Sequence, residues 1–265
     1  MTLEPDESVL LATALLLSGS RALGIFTIFP IFTLFNISGI VRFGAALGLS
    51  APVILVTHAQ LQIEAISYAD IALLSAKEFC FGVLLGAGLG IPFWAAQAAG
   101  DMTDVYRGAN QANIFDQVNA LETTTLGSVL LALSLMLFVS VGGLFDLMSI
   151  FYRSFAFWPV METSPKIEIE PLTAVVEIFV TLFKVGAVLA SPYIIVAFAV
   201  ELSFSYIGRA AKQLPLNDAL PVFKNVAVLA VFTVYTVFIG HYVEDTWTKG
   251  FGQIIKIMQV EIVEK

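Results

Sequence analysis

Five charged residues stand in or beside the long apolar runs of this chain: Arg21, Lys77, Glu78, Lys184 and Glu201. A charge in a hydrocarbon setting costs at least about 2.5 kcal/mol, so each calls for a partner, a wet path or a protein neighbour. Glu78 has no basic residue three or four positions away, the spacing at which helical side chains meet. Its neighbour Lys77 points about 100° away around a helix and is not expected to serve. Arg21 and Lys184 are left as candidates within the chain. Snorkelling or structural pairing is the plainer outcome; a polar path or a subunit interface is the sharper one. If Arg21 and Glu78 are partners, exchanging their charges should restore what each single change destroys.

Two further patterns follow Lys77 and Glu78. Gly82, Gly86 and Gly90 recur at four-residue steps, which places them close to one helix face and invites another helix to approach closely. Beyond them comes a polar segment with Gly100, Asp101, Asp104, Arg107 and Gly108. The acids and Arg107 are three apart, so a helix there would carry a solvated stripe with an i,i+3 pair contributing a few tenths of a kcal/mol. No catalytic, metal or cofactor constellation emerges. His58 and His241 are the only histidines and neither lies in an H-E-x-x-H motif. Gly86, Gly88 and Gly90 lack the last glycine and the preceding strand of a dinucleotide fingerprint.

The elements that must position these residues are apolar. The 265 residues are 58% hydrophobic and 13% charged, about half the charge of an average soluble protein, and the mean hydropathy is +0.89. This composition predicts an all-α polytopic integral membrane protein covered partly by membrane lipid. The net charge of −8 argues against nucleic acid. The single cysteine, Cys80, excludes an internal disulfide and reads as a buried packing thiol. No Lys or Arg precedes Arg21, so the first apolar segment is expected to be retained rather than cleaved as a signal peptide.

Six apolar blocks are legible, at about 9–35, 43–56, 71–99, 124–145, 178–200 and 226–243. A bilayer core asks for about 20 helical residues, and the fourth block is the cleanest span. Polar stretches are expected at 100–123, 161–177 and 201–225, and the tail from Glu244 has the periodicity of an amphipathic surface helix. Orientation is contradictory. Arg209, Lys212 and Lys224 claim one loop for the cytoplasm, and Lys249, Lys256 and Lys265 claim the tail for the same side. Six simple spans would put the two on opposite sides. A single all-helical domain over 1–265 is the default.

With these residues in view, the chain resembles the SctT family of bacterial type III secretion export apparatus proteins, whose flagellar relative is FliR. Arg21 with Pro30, and Arg42 with Pro52, resemble its early Arg-then-Pro pairs. Lys77-Glu78 followed by Gly82 and Gly86 resembles its K-E-x-x-x-G-x-x-x-G signature, and Gly100-Asp101, Asp104 and Arg107-Gly108 its G-D-x-x-D-x-x-R-G. Phe115-Asp116, then Gly142-Gly143, Ser154 and Pro159, continue the pattern. Glu201, Arg209, Gln213-Leu214 and Lys224 complete it. Gln117 replaces a usual Pro, Lys212 and Pro215 replace the Pro and Asn around Gln213-Leu214, and Pro221 stands near but earlier than the usual proline.

The resemblance implies a non-catalytic structural subunit of an export gate in the bacterial inner membrane. Its partners would be SctR-, SctS- and SctU-like subunits (flagellar FliP, FliQ and FlhB), inner rod or needle components, and the unfolded proteins that pass through. It also implies an SctR-like part over about 1–200 and an SctS-like hairpin and tail over about 201–265. Arg21, Lys77, Glu78, Lys184, Glu201, Arg209 and Lys224 become buried-charge or interface residues on this view. Gly82, Gly86 and Gly90 become packing positions, so Gly86→Leu is expected to block assembly with the partners. Gly100, Asp101, Asp104, Arg107, Gly108 and Asp116 become gate or loop candidates. The reading that competes from another class is a stand-alone secondary transporter or channel, favoured by intramembrane charges and Pro-broken helices.

Overall fold

The computed structural model describes residues 7–62, 67–107, 125–163, 171–210 and 216–259. Every regular element among them is helical: α1 (Glu7–Ile28), α2 (Pro30–Leu34), α3 (Gly39–Leu61), α4 (Tyr68–Arg107), α5 (Thr125–Ser140), α6 (Gly143–Phe157), α7 (Pro171–Ala210) and α8 (Leu216–Gln259). Four helices are long and apolar enough to cross a membrane, and up to six spans result if two broken pairs each count as one. The chain is a multi-pass membrane protein.

Local chemistry sets the breaks. Phe29 is extended (φ −64°, ψ 129°) because the proline that follows disfavours the helical region for it, and Pro30 then opens α2 from the N1 position. The fourth block, expected as one clean span, is two helices. Gly142 sits at φ 91°, a left-handed conformation that separates α5 from α6. Hydropathy runs straight through this corner, since glycine scores as neither a charge nor a stop. Pro52, Pro92, Pro192 and Pro221 lie inside helices without ending them, as membrane helices tolerate.

Helix extends into two of the expected polar stretches. α4 continues to Arg107, and α7 runs to Ala210 before α8 starts at Leu216. The tail is no separate helix: α8 carries the sixth block onward to Gln259. A charged residue ends a hydrophobic run but has adequate helix propensity, so hydropathy marks the limit of apolar covering and not the limit of the helix.

The chain forms two compact units, Met1–Gly90 with Gly142–Glu170 and Thr248–Lys265, and Ile91–Val141 with Pro171–Trp247. In the first, α1 and α3 pack around Ala14, Leu17, Ile54 and Leu61, joined by Leu74 and Val160. Ser18 donates to Thr57 at 3.1 Å inside this contact. In the second, Phe93, Phe138 and Trp247 are buried and meet ring to ring at 5.1, 5.5 and 6.2 Å between centroids. Cys80 is exposed, contrary to the sequence expectation. An apolar run in a membrane chain has a face turned to lipid or to other chains, so apolar surroundings in sequence do not imply burial.

Candidate functional site

Within the first unit, helix packing brings Arg21 of α1 against Lys77 and Glu78 of α4. The Arg21 and Glu78 side chains are wholly buried. The guanidinium grips the carboxylate with two bonds, Nε to Oε2 at 2.6 Å and Nη2 to Oε1 at 2.9 Å, the fork geometry that makes such pairs strong. It also donates to Ser154 Oγ at 3.0 Å and to the Trp158 carbonyl at 2.7 Å. Its faces are covered by Phe155 and Phe81, with ring centroids 3.9 and 4.8 Å away, where cation–π attraction replaces lost hydration.

Lys77 does reach Glu78, its ammonium 2.8 Å from Oε1, which corrects the expectation that it could not. The 100° argument concerns Cβ directions. A four-carbon stem swings the ammonium back toward the carboxylate because the carbonyls of Pro159, Val160 and Glu162 wait there at 3.2, 2.8 and 2.9 Å. Lys184, the other candidate, is exposed on α7.

Those carbonyls are presented by the end of α6. The residue before a proline is pushed out of the helical region, and Trp158, before Pro159, is extended at φ −134°, ψ 95°. The helix stops at Phe157, and the turn that follows aims its oxygens at the two cations. Two cations face the Glu78 carboxylate, and the Glu162 carboxylate also acts on Lys77. The carbonyl-rich C-terminal end of α6, with its negative dipole end, adds to the balance. The joint clasps α1, α4 and α6 together.

The glycine stripe serves the same joint. A Cβ on Gly82 would fall on the Arg21 carbonyl oxygen, and one on Gly86 would come within 2.9 Å of the Ile25 backbone. Gly24 of α1 answers from the other side, where a Cβ would lie 2.8 Å from the Val83 nitrogen. The face expected to receive other subunits is therefore occupied by α1 of the same chain at Gly82 and Gly86. Gly90 is buried.

The Gly100–Asp104 pair acts in the second unit. Asp104 is fully buried, not part of a solvated stripe. Its Oδ2 accepts the Leu126 N–H at 2.9 Å, capping the first turn of α5 from another helix, where an anion is favoured. Gly100, one turn earlier, lets α4 press on the backbone of Leu126 and Gly127, which a Cβ would strike. Asp101 is half-buried. The Arg107 side chain, Gly108 and Asp116 lie outside the described residues, as do Lys212 and Gln213-Leu214.

Glu201 and Lys224 pair across α7 and α8 at 2.6 Å, although the sequence placed both in a polar loop. Arg209 is exposed, its guanidinium 5.9 Å from the Tyr206 ring centroid. Sequence reasoning did not single out Ser154, Phe155 and the 158–162 carbonyls as partners of Arg21 and Lys77. The legible signal was Ser154 ahead of Pro159, a polar side chain and a helix stop at the end of an apolar run.

These features define a multi-pass membrane protein in which Arg21, Lys77, Glu78, Glu201 and Lys224 form joints between its own helices. The family model described as "Bacterial export proteins, family 1" matches residues 12–250. The chain belongs to that family, the SctT group of type III secretion. It is 29% identical over 211 residues, 79% of this chain and 80% of the relative, to "Yop proteins translocation protein T" of Yersinia pestis. It is 28% identical over 182 residues to "Surface presentation of antigens protein SpaR" of Shigella sonnei, covering 68% of each. It is 24% identical over 212 residues to "Secretion system apparatus protein SsaT" of Salmonella typhimurium, 79% of this chain and 81% of that one. The protein is a secretion-apparatus subunit that associates with other components of the export apparatus.

Proposed function

We propose that this chain is a non-catalytic structural subunit of the type III export gate in the bacterial inner membrane. It packs with SctR- and SctS-like subunits to form the channel through which unfolded proteins leave the cell, in contact with an SctU-like subunit and with rod or needle components. On this reading about 1–200 is the SctR-like part and about 201–265 the SctS-like hairpin and tail. The observation that carries it is the apolar surface left uncovered on the chain's own helices. In α3 only 17% of the most apolar window is buried, with Ile40 at 86% and Leu55 at 73% exposure. Such faces demand lipid or other apolar chains.

The test is extraction of the tagged protein, expressed from its native operon, in mild detergent and mass determination of the intact complex. A discrete particle containing SctR- and SctS-like chains is the expected result. A monodisperse monomer or homodimer that transports a solute when reconstituted alone in vesicles would establish the transporter reading instead. The gate role assigned to residues 100–123 predicts that altering the segment leaks ions, and an intact barrier in such variants argues against it.

A further inference from the structure

Four oxygens surround the Lys77 ammonium. Glu78 Oε1 lies 2.8 Å away, and the carbonyls of Val160, Glu162 and Pro159 accept from it at 2.8, 2.9 and 3.2 Å. All three carbonyls belong to one turn, closed where the Glu162 N–H donates to the Pro159 oxygen at 3.2 Å. The Trp158 indole steadies the same turn, donating to the Glu162 carbonyl at 2.9 Å, with its ring 5.2 Å from the ammonium. Carbonyl oxygens aimed at one point repel one another, because each is the negative end of a peptide dipole. A plain counter-ion for Glu78 would not need them.

Converging carbonyls beside a carboxylate are the makings of a cation site. Such oxygens replace the hydration shell of a bound ion. Ca²⁺ and Mg²⁺ draw their oxygens to about 2.0–2.6 Å, so the 2.8–3.2 Å found here suits a larger, monovalent ion. We propose that Glu78 and the turn at 159–162 form a binding site for a small monovalent cation. Lys77 fills it in the native chain as a tethered ion, and free ammonium or potassium takes its place once the Lys77 side chain is cut back. Lysine suits the role because its charge is compact and its three donors rotate on a flexible stem; the guanidinium of arginine spreads its donors in one plane. Lys77 is thus the ion around which the turn after α6 folds, in addition to being a partner of Glu78. The site belongs to the first unit and holds with or without the export-gate reading.

The test uses the full-length chain in detergent micelles at neutral pH and constant ionic strength, in ammonium, potassium or tetramethylammonium chloride. Tetramethylammonium screens charge equally but is bulky and has no N–H to donate. The unfolding midpoint of Lys77→Ala should stand about 3–6 °C higher in ammonium than in tetramethylammonium, the shift expected at roughly ten times the dissociation constant. Potassium should act in the same direction, and the wild type should respond to neither. Lys77→Arg keeps the charge but not its shape, and should speed hydrogen exchange of the Glu162 amide about tenfold, as loss of the turn's closing bond would. Equal midpoints of Lys77→Ala in all three salts, a response that the wild type shares, or unchanged Glu162 exchange in Lys77→Arg overturns the site. Folding of Lys77→Ala only in ammonium or potassium supports it. If Lys77→Ala folds in none of the salts, the exchange rate in Lys77→Arg decides.

Discussion

Neutralising Glu78 tests the clasp most directly. Glu78→Gln preserves volume but leaves Arg21 and Lys77 as two buried or nearly buried cations without the carboxylate that both engage, with only the farther Glu162 acting on Lys77. Removing one partner of a buried pair costs about 3–5 kcal/mol, more than a hundredfold in the folded-to-unfolded ratio. Each cation retains other acceptors, Ser154 and the Trp158 carbonyl for Arg21 and three carbonyls for Lys77. The glutamine variant should therefore fall near the lower end, and Glu78→Ala, which adds a cavity, near the upper. The assay is denaturant unfolding in detergent micelles followed by tryptophan fluorescence, with hydrogen exchange at residues 158–162 as the local readout. Trp158 reports on the clasp, because its ring lies 5.2 Å from the Lys77 ammonium and its indole donates to the Glu162 carbonyl. A double change, Arg21→Met with Glu78→Leu, should cost less than Glu78→Gln alone, since it removes both desolvated charges. Glu78→Gln within about 1 kcal/mol of wild type, or a double variant as poor as the summed singles, would refute this account.

The remaining predictions separate the joints. Contrary to the expectation from sequence, exchanging the charges, Arg21→Glu with Glu78→Arg, should fail to rescue stability or secretion, because a carboxylate at 21 would face the Trp158 carbonyl that the guanidinium now satisfies. Full rescue would show that only the pair matters and not its surroundings. Gly82→Val should split α1 from α4, at about 1–3 kcal/mol or more for overpacking, whereas Gly44→Ala on α3, with nothing within 4 Å, should be neutral or up to about 1 kcal/mol stabilising. Thermal unfolding of the two variants side by side checks this, and equal losses would sink it. Asp104→Ala should speed hydrogen exchange of the amides at 125–128 and cost about 1–2 kcal/mol, while Asp104→Asn, still an acceptor for Leu126 N–H, should lose less. Unchanged exchange in the alanine variant would remove Asp104 from its capping role.

The sequence by itself determined the class of the protein and narrowed the partners of its costliest charge. Composition leaves too little polar covering for a soluble surface, helical periodicity excludes close neighbours three or four residues from Glu78, and elimination reduced its candidates to Arg21 and Lys184. Proline restrains the residue before it wherever it stands, but Pro30 and Pro159 stand at helix breaks while Pro52, Pro92, Pro192 and Pro221 lie inside helices, so sequence alone did not say which prolines break the chain. What required the tertiary structure was every relation set by distance between helices or by side-chain reach. Lys77 joins Glu78 only because the turn after α6 supplies carbonyls to draw its ammonium there. Asp104 is a cap only because Gly100 admits the start of α5. Gly82 and Gly86 announced a close approach, but their spacing carries no label for the approaching helix, and α1 of the same chain holds that place. Cys80 and the α5–α6 corner misled for one reason: hydropathy records what a residue prefers and not which face it presents or where the backbone turns.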